Sequence, residues 1–155
     1  MTRVYVGLGA NLGDRESTIR RALVQLGERP GVTVVLVSAL RDTEPVGVVD
    51  QPRFLNGAAM VDTTLSPRDL LGVLLDVERG LGRERNGERD EPRSIDLDLL
   101  LYGDEVRDEP GLTVPHPRLH ERSFALEPLC ELDPTLRIPG AGTVAEALAG
   151  LHSVA

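Results

Sequence analysis

Asp96-Leu97-Asp98 is the segment of this 155-residue chain with the clearest chemistry. On a strand, residues two apart project to the same face, so the two carboxylates stand side by side. Ile95, Leu97 and Leu99 then point the other way, into a core. An outer strand could carry two solvated aspartates. The following Leu99-Leu100-Leu101 is apolar on both faces, however, and predicts a central strand. There the carboxylates repel each other and lose hydration, and a hard divalent cation relieves both costs. Mg²⁺ suits such a pair, with water and substrate phosphates completing its shell. The chemistry this predicts is metal-assisted phosphoryl transfer.

Other residues gather around this pair in sequence. The stretch Gly82–Pro92, continuing to Arg93, holds four arginines and four acids and leads straight into the aspartates. By composition it is a solvated loop. By position it is a lid, able to bring Arg83 and Arg93 onto a phosphate as water is excluded. The chain has 17 arginines and no lysine, so the choice of Arg at any one site says little, and placement carries the argument. Phe54 and Phe124 are the only phenylalanines, and there is no tryptophan. They are either core residues or two faces for a planar heterocycle. Asn56 shares a strand face with Phe54 and offers a donor and an acceptor to a ring edge.

Three further features are weaker. Gly7-Leu8-Gly9-Ala10-Asn11-Leu12-Gly13 lies between a strand and a helix, but its last glycine comes one residue too late for a dinucleotide fingerprint. It reads as a tight turn, or as a loop whose Asn11 borders a pocket. His116 and His120 are four apart with Pro117 between them, which excludes a helical zinc pair. Cys130 is the single cysteine and lies in an apolar stretch, so it reads as a structural residue, and no internal disulfide can form.

The positioning elements follow from periodicity. Strands are predicted over Arg3–Gly9, Val32–Leu40, Phe54–Thr63 and Ser94–Tyr102. A helix capped by Asp14 spans about Arg15–Arg29, and another begins at Ser66-Pro67-Arg68-Asp69 and runs to about Leu81. Arg41–Pro52 is a loop. Short helices are expected near Phe124–Leu132 and Val144–Leu151, in a Pro-rich tail that adds an edge strand. The order βαββαβ predicts an α+β, ferredoxin-like sheet with helices packed on one face and an irregular C-terminal extension. One domain over residues 1–155 is expected.

A net charge of −8 argues against a nucleic-acid binder, which needs a basic footprint. No apolar run approaches the ~20 residues of a membrane span, and the start lacks a signal-peptide layout. A cytoplasmic protein is the expectation.

Together these segments resemble the 6-hydroxymethyl-7,8-dihydropterin pyrophosphokinase family of folate biosynthesis. The most specific match is Pro92-Arg93-Ser94-Ile95-Asp96-Leu97-Asp98-Leu99-Leu100-Leu101-Tyr102-Gly103. Gly9–Gly13, Thr43-Glu44-Pro45-Val46-Gly47, Asp50–Asn56 and Val114–Phe124 support it in the right order. The resemblance implies transfer of pyrophosphate from ATP to a pterin hydroxymethyl group, leaving AMP. It implies that Asp96 and Asp98 hold two Mg²⁺ ions. It implies ATP contacts from Glu78, Arg83, Arg85, Arg93, His116 and Arg122, with Arg83 and Arg93 catalytic alongside the aspartates. It implies a pterin sandwiched by Phe54 and Phe124, with Thr43, Val46 and Asn56 along its edges. The partners implied are these two small molecules, for a monomeric enzyme. One departure stands out: many members carry Trp-Gly before the Pro-Arg, where this chain has Asp90-Glu91. Two other readings remain at this stage, a DxD-type sugar-nucleotide transferase and a non-catalytic ligand-sensing domain.

Overall fold

The computed structural model describes residues 1–11, 14–43, 54–83 and 95–153. The elements in chain order are β1 (Thr2–Ala10), α1 (Arg15–Gly27), β2 (Val32–Val37), β3 (Arg41–Thr43), β4 (Phe54–Thr63), α2 (Pro67–Arg83) and β5 (Asp96–Tyr102). The tail contributes β6 (Arg107–Glu109), β7 (Leu112–Val114), a 3₁₀ turn at Leu119–Glu121, α3 (Ser123–Leu132), β8 (Arg137–Ile138), β9 (Gly142–Thr143) and α4 (Val144–Ser153).

The main sheet is antiparallel in the order β2-β4-β1-β5, with β3 paired to the first part of β4. Strand alternation splits its side chains between two cores. Val4, Val6, Leu8 and Ala10 meet Ile19, Ala22 and Leu26 of α1 and Leu70, Leu74, Val77 and Leu81 of α2. The helical residues recur at three- and four-residue spacing, which puts each set on one helix face. On the opposite side Tyr5, Ala58, Met60, Leu100 and Leu101 pack against Leu126 and Leu129 of α3 and Val144 of α4. Helices therefore cover both faces of the sheet, not one.

The helix starts follow their sequence signals. Asp14 caps α1 by accepting from the Ser17 amide at 3.1 Å, and Ser66 caps α2 by accepting from the Asp69 amide at 3.1 Å. The α1 helix ends at Gly27, two residues before the expected Arg29, and Gly31 turns the chain with φ +80°. Within the predicted loop Arg41–Pro52, the first three residues form β3. The described tail adds no edge strand to the main sheet: β6-β7 and β8-β9 are hairpins of their own.

The strand carrying the aspartates also differs from expectation. Among the described residues β5 lies at the end of the sheet, with β1 as its only paired strand. Its apolar run has another cause. Val6 faces Leu99 and Tyr5 faces Leu101, so Leu100 is the extra residue of a bulge. Leu97 and Leu99 therefore enter the first core, while Leu100 and Leu101 both enter the second. Both faces are covered although one edge has no strand. The tail shields part of that edge, where the His116 amide donates to the Leu100 carbonyl at 2.9 Å.

Candidate active site

The aspartates project from β5 as their spacing predicts. Asp96 is half-buried and Asp98 exposed, while Ile95, Leu97 and Leu99 are buried behind them. Strand register extends this pair sideways. Gly9 of β1 lies between Asn56 on one neighbouring strand and Asp96 on the other. One row further, Gly7 lies between Ala58 and Asp98. Asn56 and Asp96 thus flank a strip without side chains, about 10 Å apart across two strand spacings. A Cβ on Gly9 would fall 3.2 Å from Asn56 Oδ1 and 4.0 Å from Phe54 Cδ1. Gly9 leaves the floor open between Asn56 and Asp96, while the Leu100 side chain covers Gly7 at 3.3 Å from where its Cβ would be.

A cavity of about 530 Å³ stands on this floor. Phe54, Asn56, Asp96, Asp98, His116, Arg122 and Phe124 all line it. Seven of the thirteen residues expected at the site therefore share one space. Phe124 is the second residue of α3, with the Arg122 guanidinium carbon 5.7 Å from its ring centroid, a cation–π distance. His116 Nδ1 accepts from the Arg118 amide at 3.3 Å, which leaves the proton of the neutral ring on Nε2. Burial holds the His116 pKa below its ordinary value, and the nearby Arg122 and Arg118 charges lower it further.

Glu78 reaches the aspartates from behind. It is buried on α2, and its Oε2 accepts from the Leu97 amide at 2.6 Å. Leu97 is the residue between the two aspartates, so Glu78 braces their strand and does not line the cavity. Thr43 ends β3 opposite Phe54, and Arg83 ends α2. Arg85, Arg93, Val46, the rest of the lid with Asp90-Glu91, and the side chains of Thr43 and Arg83 lie outside the described residues.

Arg118, Glu121 and Ser123 also line the cavity and were not among the expected site residues, and Gly7 and Gly9 line it from the motif read as a turn or a pocket border. For the glycines a signal existed. They alternate with Leu8 on one strand, so that face of β1 stays bare at Gly9, while Leu100 covers it at Gly7. Asn11, raised as a possible pocket residue, is buried, and its Oδ1 has no hydrogen-bond partner among the described residues. Cys130 is half-buried against the second core, and burial raises its pKa, consistent with an inert thiol.

The donor set fits a hard cation. Two carboxylates share a face, and no cluster of three His, Cys, Asp or Glu groups occurs among the described residues. Such a pair leaves positions for phosphate oxygens and water, as Mg²⁺ requires.

Residues 5–134 match the model of the 7,8-dihydro-6-hydroxymethylpterin-pyrophosphokinase (HPPK) family. The chain belongs to this family. Among similar HPPK-type proteins, the 2-amino-4-hydroxy-6-hydroxymethyldihydropteridine pyrophosphokinase of Pseudomonas aeruginosa is 45% identical over 147 residues, covering 95% of this chain and 90% of the relative. The protein of the same name from Methylorubrum extorquens is 48% identical over 152 residues, covering 97% and 94%. A folate synthesis bifunctional protein of Arabidopsis thaliana is 46% identical over 129 residues, which cover 83% of this chain and 26% of that protein. Among solved structures, a Plasmodium falciparum HPPK-DHPS has a TM-score of 0.75 at 15% identity, covering 96% of this chain and 44% of that one. At that identity the likeness speaks for the fold.

Proposed function

We propose that this HPPK-family chain transfers pyrophosphate from ATP to the hydroxymethyl group of 6-hydroxymethyl-7,8-dihydropterin, in a reaction that depends on Mg²⁺. Pyrophosphate transfer to that pterin, in folate synthesis, is the activity its family membership supports. The observation that carries the site assignment is the shared cavity: carboxylates, aromatic rings and an amide line one space over a glycine floor. A sugar-nucleotide transferase or a sensor domain has no need of that combination.

Phe54 and Phe124 hold the pterin between their rings, and Asn56, Thr43 and Val46 read its edges. Asp96 and Asp98 hold the magnesium, two ions in this reading, which neutralises phosphate charge. Arg83 and Arg93 contact the phosphates, with Arg85 and Arg122 as further cations. His116 and Glu78 belong to the nucleotide side, His116 from the cavity wall and Glu78 through β5. The substrate hydroxyl oxygen forms a bond to the β-phosphorus. The bond from that phosphorus to the bridging α,β oxygen breaks, AMP departs, and the hydroxyl proton is released. The transition state is loose and spreads charge, so alignment and cationic side chains supply most of the acceleration. No strong general base is needed.

The strand order and the two βαβ halves support a ferredoxin-like core for the whole chain as one domain. The reading is of a monomeric, cytoplasmic enzyme, and no described helix is long and apolar enough to cross a membrane. Incubation with ATP, Mg²⁺ and the pterin tests it, with AMP as the readout. Folded protein that releases no AMP would contradict it.

A further inference from the structure

Phe124 and Glu131 are seven residues apart on α3, two helical turns, and so leave the helix from nearly the same face. Phe124 faces the cavity. Glu131 reaches the chain just before and within β3. Its Oε2 accepts from the Ala39 amide at 2.8 Å, and its Oε1 accepts from Arg41 Nη2 at 2.8 Å. Arg41 Nη1 closes the triangle by donating to the Ala39 carbonyl at 3.4 Å.

Arg41 is the cross-strand partner of Asn56, and Thr43 of Phe54. The same short strand therefore backs one wall of the cavity. Its entry is also pinned to β4, where the Ser38 amide donates to the Ala58 carbonyl and the Ala58 amide to Ser38 Oγ, each at 2.9 Å. Leu40 lies over Gly57, where a Cβ would come within 2.7 Å of Leu40 Cδ2. The Phe124 wall is carried by α3, whose Leu126 and Leu129 pack in the second core with Ala58, Met60 and Leu100. Glu131 ties that helix to Arg41 of β3 and to Ala39 just before it.

We propose that the Glu131–Arg41–Ala39 clamp sets the gap between the Phe54 and Phe124 walls, making Glu131 and Arg41 positioning residues for the pterin. This rests on the pterin seat assigned above. Neither residue lines the cavity, so neither touches the substrate. The ion pair is about a third exposed on each side and contributes little to overall stability. Its effect is geometric and confined to one substrate.

The test measures pterin KM, ATP KM, kcat and Tm in Glu131→Ala, Glu131→Gln, Arg41→Ala and Phe124→Ala. Glu131→Ala should raise the pterin KM about five- to tenfold, the scale of one lost net hydrogen bond or slightly more. Arg41→Ala should raise it less, because the Ala39 bond survives. Glu131→Gln keeps an acceptor and should recover part of the loss. ATP KM and kcat should stay within about twofold, a split that simple loosening of the fold would not give. If Glu131→Ala fails to fold, Arg41→Ala carries the same comparison. Loss of pterin binding in Phe124→Ala but not in the clamp variants overturns this inference alone. Pterin binding indifferent to Phe124→Ala overturns the seat and this inference together. Clamp variants that shift both KM values and kcat in step with Tm also overturn it.

Discussion

The Leu97 amide donates to Glu78 Oε2 at 2.6 Å, so the residue between the two aspartates is held from the far side of the strand by a buried carboxylate. An edge strand presents unpaired amides that would otherwise need water. Here the carboxylate satisfies one of them inside the core and fixes the strand segment from which Asp96 and Asp98 project.

Glu78→Ala should therefore destabilise the fold by about 1–3 kcal/mol, the cost of a buried donor left without its partner. Glu78→Gln retains an oxygen acceptor and should lose distinctly less. Urea unfolding midpoints measure both. An alanine variant as stable as the parent would show that the bond does not brace β5.

Asp96→Asn and Asp98→Asn should each lower turnover about 100-fold or more, the scale for removing a charge that stabilises a transition state. Circular dichroism should be unchanged. Near-normal turnover in either variant would contradict the metal role.

Gly9→Ala places a methyl group 3.2 Å from Asn56 Oδ1, on the floor between Asn56 and Asp96. Asn56 Oδ1 must then give way by about a few tenths of an ångström, the misfit of a contact tighter than ordinary packing. Pterin Kd should rise about tenfold, the scale of one misplaced hydrogen bond, while Tm changes little. Isothermal titration with the pterin alone measures this without turnover. Unaltered pterin affinity would mean that the ring lies elsewhere.

His116 has a folded pKa held below its ordinary value by burial and by Arg122 and Arg118. Above about pH 6.5 the ring is neutral in both folded and unfolded chains and makes no difference. As pH falls from there toward the folded pKa, the unfolded chain binds the proton first, so stability decreases. Below the folded pKa this contribution levels off. The parent should lose stability across that window, and His116→Gln should lose less. The depressed carboxylates, Asp62, Glu109, Glu131 and Glu146, act in a separate range. Their stabilisation is complete above ordinary carboxylate values and falls away below them. Unfolding midpoints between pH 7.5 and 5 separate the two. Parallel profiles for parent and variant would exclude His116 as the source.

Much of this was legible in sequence because the signals were local. Strand periodicity put Asp96 and Asp98 on one face, and Asp14 and Ser66 announced the helices they cap. The bounds of β4, Phe54–Thr63, also match. What sequence hid were properties set across strands. The Leu99–Leu101 run reads as a central strand, but it records a bulge and two covering layers. The glycine floor emerges only when Gly9 is set between Asn56 and Asp96. Glu78 carries no local sign that it bonds an amide nineteen residues away. Short pairings such as β3 and the tail hairpins have too few residues to show a period.

We propose that the two aspartates serve pyrophosphate transfer to a pterin seated in the same cavity. Phosphorus NMR of the protein with ATP, Mg²⁺ and 6-hydroxymethyl-7,8-dihydropterin tests it most directly. Stoichiometric AMP and a new pterin diphosphate signal are expected, both abolished by EDTA and by Asp96→Asn. Formation of ADP, or of AMP with free pyrophosphate and unmodified pterin, would contradict it.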